Sequence, residues 1–205
     1  VINLFDIETE TAKDEITGRE RLVLNVENKV EDVTQALLTM ARGSTRSEEV
    51  NELTKQIIAE SVAEEYAAVG ITSNPNSLYE ASGSFNRGDK LYREKKKMPT
   101  IGSWYRRIQA KAQENMNDDY RYHYSYLLKV MKQYIREYNG QMAYFDGQST
   151  FELLEGAPFI NLDISQLEEK FARPLAQQIL LTWIWEKFVK KNSEDRRKAK
   201  QKRVI

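Results

Sequence analysis

Apolar residues recur along much of this chain at steps of three and four, the spacing of one face of a helix. Thr17-x-x-Glu20 has the spacing of a capping box, and Val23, Val26, Val30, Val33, Leu37 and Met40 follow it. Together they predict a first helix that Gly43 ends. Leu22, Leu24 and Val26 alternate as a strand would, but this shorter pattern is outweighed by the helical one. Ser47 with Glu48 and Glu49 opens a second helix, because acidic residues complement its N-terminal dipole. Its stripe is Val50, Leu53, Ile57, Val62, Tyr66 and Val69, and Gly70 stops it. Thr100 caps a third helix that carries Ile101, Trp104, Tyr105, Ile108 and Ala112. After Asn117, Asp118 and Asp119 begin a fourth with Tyr120, Tyr124, Leu127, Leu128, Met131, Ile135 and Tyr138, ended by Gly140.

Elsewhere the pattern changes. Residues 71–100 hold Asn74-Pro75, Gly83, Gly88, a lysine run at 95–97 and Pro99, which predicts a short helix near 77–81 inside a long mobile loop. Val1-Ile2-Asn3-Leu4-Phe5 is strand-like. Beyond Gly140, Met142-Ala143-Tyr144-Phe145 reads as a short strand, Asp146-Gly147 as a turn, and residues 159–164 as a second strand. Pro174 suits the first position of a helix reaching about Lys190, apolar on nearly every side and so buried on several faces. A basic stretch from Arg196 to Arg203 leads to a strand beginning at Val204. Strand, buried helix, strand is the rhythm of a parallel α/β unit. The expected fold class is therefore mainly α: a helical, bundle-like module attached to an incomplete α/β core fragment. Residues 1–17 form a strand-like entry segment, 18–140 the helical module with its loop at 71–100, and 141–205 the partial α/β core. No internal repeat is visible.

Composition narrows the class. The chain has 205 residues, 40% of them hydrophobic and 30% charged, and no cysteine. A disulfide scaffold and a thiolate-ligated metal site are thereby excluded, and a reducing compartment fits. The apolar cluster at 179–181 with 183–185 is far shorter than the roughly 20 residues that span a bilayer. No secretory signal opens the sequence, so a soluble, cytoplasmic protein is expected. The 31 basic and 31 acidic residues cancel, but unevenly. Residues 1–70 hold 7 Lys/Arg against 15 Asp/Glu, a net −8, and residues 71–205 hold 24 against 16, a net +8. That asymmetry favours nucleic acid or an acidic partner at the C-terminal part, set against two solvated faces of different sign. The chain begins at Val1 without Met and ends on the apolar pair Val204-Ile205, as a piece cut from a longer protein would.

Candidate chemistry is sparse. Gly83-Ser84-Phe85-Asn86-Arg87-Gly88-Asp89-Lys90 has the glycine spacing of a phosphate-binding loop, but Asp89 stands where that loop needs lysine and Leu91 follows Lys90. Arg87-Gly88-Asp89 matches a cell-adhesion triplet, yet nothing indicates export. His123 is the single histidine, so no multi-histidine zinc site or histidine-based triad assembles, and a packed or surface role is expected. The acidic pairs Glu64/Glu65 and Asp118/Asp119 are explained by solvation and helix dipoles. No catalytic, cofactor-binding or metal-binding residue is assigned. The remaining candidates combine cations and tyrosines: Arg106, Arg107 and Lys111, with Tyr122 and Tyr126 on a face apart from the apolar stripe of Tyr120 and Tyr124. These five can take single-stranded nucleic acid, by stacking and phosphate contacts, or dock a neighbouring domain.

The order of the pieces carries a resemblance. Ile2-Asn3-Leu4-Phe5-Asp6-Ile7 resembles the "Ile-Asn-Pro-Phe-Asp-Ile" segment of the large conjugation ATPases of type IV secretion systems, with Leu4 in place of the proline. A helical module follows in that family, then a segment similar to Tyr144-Phe145-Asp146-Gly147-Gln148-Ser149-Thr150. Residues 159–190, with Asp163-Ile164-Ser165 and Trp183-Ile184-Trp185, look similar as well, and Val204-Ile205 would begin the family's magnesium-site strand. Residues 71–100 match nothing in it. The resemblance implies a P-loop NTPase-like core, and a chain lying between the two nucleotide-binding motifs and containing neither. It implies ATP and magnesium as cofactors of the parent, none of them held here. It also implies as partners the rest of the parent ATPase core, other conjugation-channel subunits and DNA, with a hexameric parent at the inner face of the cell membrane. The expected function is a helical subdomain that helps energise DNA or protein transfer and is inactive alone. The alternatives are a helical module that binds single-stranded nucleic acid, and a non-catalytic scaffold that contacts secretion subunits through 71–100.

Overall fold

The computed structural model describes residues 1–13, 18–43, 50–87, 90–114, 117–150, 161–168 and 170–190. Its frame is five helices: α1 (Val26–Arg42), α2 (Glu52–Ala68), α3 (Ile101–Ala112), α4 (Asp118–Met131) and α5 (Ala172–Ile184). Four strands form two separate antiparallel ribbons, β1 (Glu10–Lys13) with β2 (Glu20–Val23) and β3 (Tyr79–Arg87) with β4 (Lys90–Lys95). The fold is mainly helical.

Local chemistry sets most helix starts. The side chains of Asn25, Asn51, Thr100 and Asn117 each accept a backbone N–H from the first turn of α1, α2, α3 and α4. At α3 the box is reciprocal, since Ser103 Oγ accepts from the Thr100 N–H at 2.9 Å. Neighbouring helices pack as α1 on α2, α2 on α3, α3 on α4, and α5 on α1. Phe5, Leu37, Ile57, Ile58, Trp104, Ile108 and Leu127 meet in the core between them. Polar fasteners run through this core. Trp104 Nε1 donates to Ser61 Oγ at 2.8 Å, tying α3 to α2. The hydroxyls of Tyr134 and Tyr126 donate to the Met40 and Ala41 carbonyls at 3.1 and 2.9 Å. Those carbonyls close α1, where the helix has no partners of its own to offer.

Several expectations are corrected. The first helix begins at Val26, and Glu20 to Val23 pair with β1 instead, because the Asn25 cap sets the boundary. Thr17 and residues 47–49 lie outside the described residues. Val1 to Phe5 form no strand; they run as a buried segment with a turn at Leu4-Phe5, held where Tyr66 Oη donates to the Phe5 carbonyl at 2.8 Å. The expected loop at 71–100 is a 3₁₀ turn (Pro75–Leu78) followed by the β3–β4 ribbon. The fourth helix stops at Met131 and not near Tyr138, since Ile135 turns extended (φ −100°) and short 3₁₀ turns follow. Gly140 makes that change possible, because a Cβ there would sit 2.2 Å from the Gln133 carbonyl oxygen.

Residues 143–145 form a 3₁₀ turn and not a strand, and residues 161–164 adopt no regular structure. Phe159, Ile160 and Val204 lie outside the described residues, among which no parallel strand pair occurs. Pro174 is the third residue of α5, not the first; the Glu168 carboxylate caps the helix by accepting from Phe171 and Ala172 N–H. Past Ile184 the chain winds as a π-helix to Lys190, and its apolar surface is divided. Leu175, Ile179 and Trp183 are buried, whereas Leu181 and Trp185 are exposed.

Candidate functional site

Two of the segments that carry the family resemblance, 2–7 and 144–150, meet in space. Asn3 N–H donates to Ser149 Oγ at 2.8 Å, and Thr150 N–H to the Val1 carbonyl at 3.2 Å. Asn3 Nδ2 and Gln148 Nε2 donate to the neighbouring carbonyls of Pro99 and Met98, at 2.8 and 2.6 Å. Asp146 is the knot of this seam. Its two carboxylate oxygens accept the Gly102 and Arg136 N–H groups, each at 2.8 Å, so one buried side chain caps α3 and holds the turn after α4. At the other end of the entry segment, the Glu8 N–H donates to Glu186 Oε2 at 3.2 Å, and Lys95 forms an ion pair with Glu8. Burial, then the nearby charges of Asp6, Glu186 and Asp32, pushes the Tyr66 phenol well above its usual range. The sequence exposes Asp146 only as a turn residue. Its capping role depends on partners 44 and 10 residues away, which no local pattern shows.

The structure also brings together the cations expected from the sequence. Arg106, Arg107 and Lys111 line an open groove of about 390 Å³ with Glu65, Ser103, Ala110 and Glu114. Each cation already faces a carboxylate. Arg107 Nε reaches Glu65 Oε1 at 2.5 Å, Lys111 Nζ reaches Glu64 Oε1 at 2.5 Å, and Arg106 pairs with Glu137 at 3.1 Å. Ser103 Oγ gives buried Glu65 a further hydrogen bond at 2.5 Å. The acidic pair of α2 is thus the counter-charge of α3, and phosphate would have to displace it.

Tyr122 and Tyr126 do not act as a unit. Tyr126 is half-buried and bound to the end of α1, whereas Tyr122 is 51% exposed and packs edge-on against His123 at 5.3 Å. His123 is buried. Its Nδ1 lies 3.0 Å from Thr54 Oγ1 and its Nε2 lies 3.5 Å from Asn51 Nδ2, at the N-terminal turn of α2. Of the packed or surface role expected from the sequence, the structure shows the packed one.

The described part of the glycine-spaced segment does not have the frame of a phosphate-binding loop. A phosphate-binding loop joins a strand to a helix, whose N-terminus meets the phosphates. Gly83 instead lies inside β3, and the next element is the strand β4 paired with it, not a helix. Among the described residues, no group of three or more His, Asp or Glu side chains is arranged to hold a metal ion. No described helix is long and apolar enough to cross a membrane. No protein-family model matches the chain, and no curated protein or solved structure matches it either.

Proposed function

We propose that the chain is the helical subdomain of a conjugative-transfer ATPase of the type IV secretion class. In this reading it works in the cytoplasm as a lobe without nucleotide-binding motifs. It links a P-loop core elsewhere in a hexameric parent, which uses ATP and magnesium, to neighbouring channel subunits. The observation that carries the reading is the convergence of the family-like segments. Val1 and Asn3 bond to Ser149 and Thr150, and Glu8, just past the entry motif, bonds to Glu186, just past Trp185, so stretches far apart in sequence are joined. A chance likeness in short motifs would not require them to meet. A seam of this kind is also where motion in an attached core would reach α3 through Asp146 and α2 through Phe5 and Tyr66.

The test is to read the gene on both sides of this segment. A Gly-x-x-x-x-Gly-Lys-Ser/Thr motif before Val1, and an apolar strand ending in Asp-Glu after Ile205, is the expected result. Absence of both overturns the proposal. The chain alone is expected to show no magnesium-dependent ATP hydrolysis, and turnover that persists through purification would count equally against it.

A further inference from the structure

The short turns after α4 carry a chemically labile pair. Asn139-Gly140 is the one Asn-Gly pair in the chain. Asparagine loses its amide most readily before glycine, since glycine puts no side chain in the way of its own nitrogen. Asn139 is exposed and stands in the left-handed region, at φ 52° and ψ 38°, a conformation that asparagine tolerates better than most residues.

The backbone around the pair closes a Schellman-type turn. Asn139 N–H donates to the Arg136 carbonyl at 2.9 Å and Gly140 N–H to the Ile135 carbonyl at 3.0 Å, the two bonds that mark this motif. Beside them, Met142 N–H donates to the Gln133 carbonyl at 3.0 Å. Tyr138 clasps the turn to α3: its ring meets Tyr105 edge-on at 5.5 Å, and its hydroxyl accepts from Gln109 Nε2 at 3.2 Å.

Two features of the turn hold deamidation back. The nucleophile is the Gly140 backbone nitrogen, and its hydrogen is engaged by the Ile135 carbonyl. At ψ 38° that nitrogen also lies on the far side of the Cα–C bond from the Asn139 Cβ, whereas ring closure needs both on the same side. Position 140 cannot escape the hazard by taking a side chain, because a Cβ there would stand 2.2 Å from the Gln133 carbonyl oxygen. The fold requires the residue that makes the pair labile, and shields the pair by conformation.

We propose that Asn139 is a deamidation site gated by this turn, so that its conversion records the opening of residues 135–140. On opening, the Gly140 nitrogen attacks Asn139 Cγ. The new N–C bond forms as the Cγ–Nδ2 bond breaks, and Nδ2 leaves as ammonia with the hydrogen that Gly140 gives up. Solvent water then opens the succinimide ring at either carbonyl, leaving aspartate or isoaspartate at position 139. Isoaspartate puts an extra methylene into the main chain, so Gly140 N–H is carried away from Ile135 and the turn does not reclose. The site is independent of the ATPase reading, because it rests on the geometry of the turn alone.

The test is peptide mapping of the full chain aged at mildly alkaline pH in heavy-oxygen water, either folded or in unfolding urea. Mass spectrometry reads the fraction converted at position 139, and the heavy oxygen marks conversion that took place during ageing. In urea, position 139 is expected to convert faster than any other asparagine. The folded chain should convert at least about tenfold more slowly, since the reaction waits for a local opening. Tyr138→Ala, which releases the clasp on α3, should raise the folded rate severalfold and leave the urea rate unchanged. If that variant does not fold, Tyr138→Phe, which loses only the Gln109 bond, takes its place. Asn139→Gly suits the left-handed backbone and should keep the urea midpoint while removing the signal. No conversion in urea overturns the proposal, as does a folded rate equal to the urea rate. A folded rate that the Tyr138 variant leaves unchanged overturns it too, because the turn is then not the gate.

Discussion

The α2–α3 face and the root of the β3–β4 ribbon are both rich in cations, and each commits them to structure in its own way. On the helices, Arg107 and Lys111 each reach a carboxylate of α2 at 2.5 Å, and the charge closes a helix–helix contact. At the root of the ribbon, Arg93 and Lys96 meet neutral oxygens instead, those of the Asn76 amide and the Val69 and Gly70 carbonyls, while Lys95 pairs with Glu8. A count of basic residues cannot separate these cases. Charge marks a binding surface only where the fold has not already placed an opposite charge against it.

If the body commits its polar groups to structure, removing them should cost stability that ribbon substitutions do not. The largest effect is expected at Asp146→Ala, which strips acceptors from two backbone N–H groups at once. Bonds to a charged acceptor contribute about 1.5–3 kcal/mol each, so a loss of about 3–6 kcal/mol should appear in urea unfolding. A shift no larger than that of Arg93→Gln would break the contrast between body and ribbon. Next comes Arg107→Ala, which takes the cation from the buried Glu65 carboxylate and leaves it the Ser103 hydrogen bond. Because Arg107 is itself partly exposed, about 2–3 kcal/mol is expected, below the range for a fully buried pair. Adding Glu65→Gln should recover much of that loss, since the stranded charge is the cause.

Alkaline titration probes the body differently. Burial raises the phenols of Tyr66 and Tyr134, with Asp6, Glu186 and Asp32 adding to the effect at Tyr66. In the unfolded chain both would ionise near pH 10, as tyrosine ordinarily does. The folded state keeps its protons longer, so the associated stability is intact below about pH 10 and falls as pH rises further, by about 1.4 kcal/mol per unit for each tyrosine. Urea midpoints between pH 8 and 11 are expected to stay level and then drop, as long as both phenols are present. In Tyr66→Phe/Tyr134→Phe the protein should be weaker at pH 8 but lose less on going to pH 11. An equally steep drop would mean that other groups govern the alkaline limit.

How much of this is legible in the sequence depends on whether the cause is local. The caps at Thr100 and Asn117 and the stop at Gly43 are short-range chemistry, and the sequence shows them. The ribbon escapes it because Lys90-Leu91-Tyr92-Arg93-Glu94-Lys95 lacks the alternation of apolar and polar positions that marks a half-buried strand. Periodicity draws the fourth helix too long because Ile135 and Tyr138 continue its stripe. What ends the helix comes from Asp146 and from the close approach at Gly140. At the groove, Arg106, Arg107 and Lys111 stand out as a helical cluster. Their neutralisation does not, because Glu65 and Glu64 lie 42 and 47 residues from their partners. The seam is legible only as separate motifs.

The smallest effect expected is the most discriminating among the ion pairs of the groove. Arg106 is the outermost cation of the helical groove, 60% exposed and paired with an equally exposed Glu137 at 3.1 Å. Both partners are already solvated, so Arg106→Gln should change stability by less than about 0.5 kcal/mol. Its value lies in the comparison with Arg107→Ala, where the partner carboxylate is buried. A loss for Arg106→Gln as large as that for Arg107→Ala would mean that burial of the partner does not set the worth of these pairs, and the contrast would have to be redrawn.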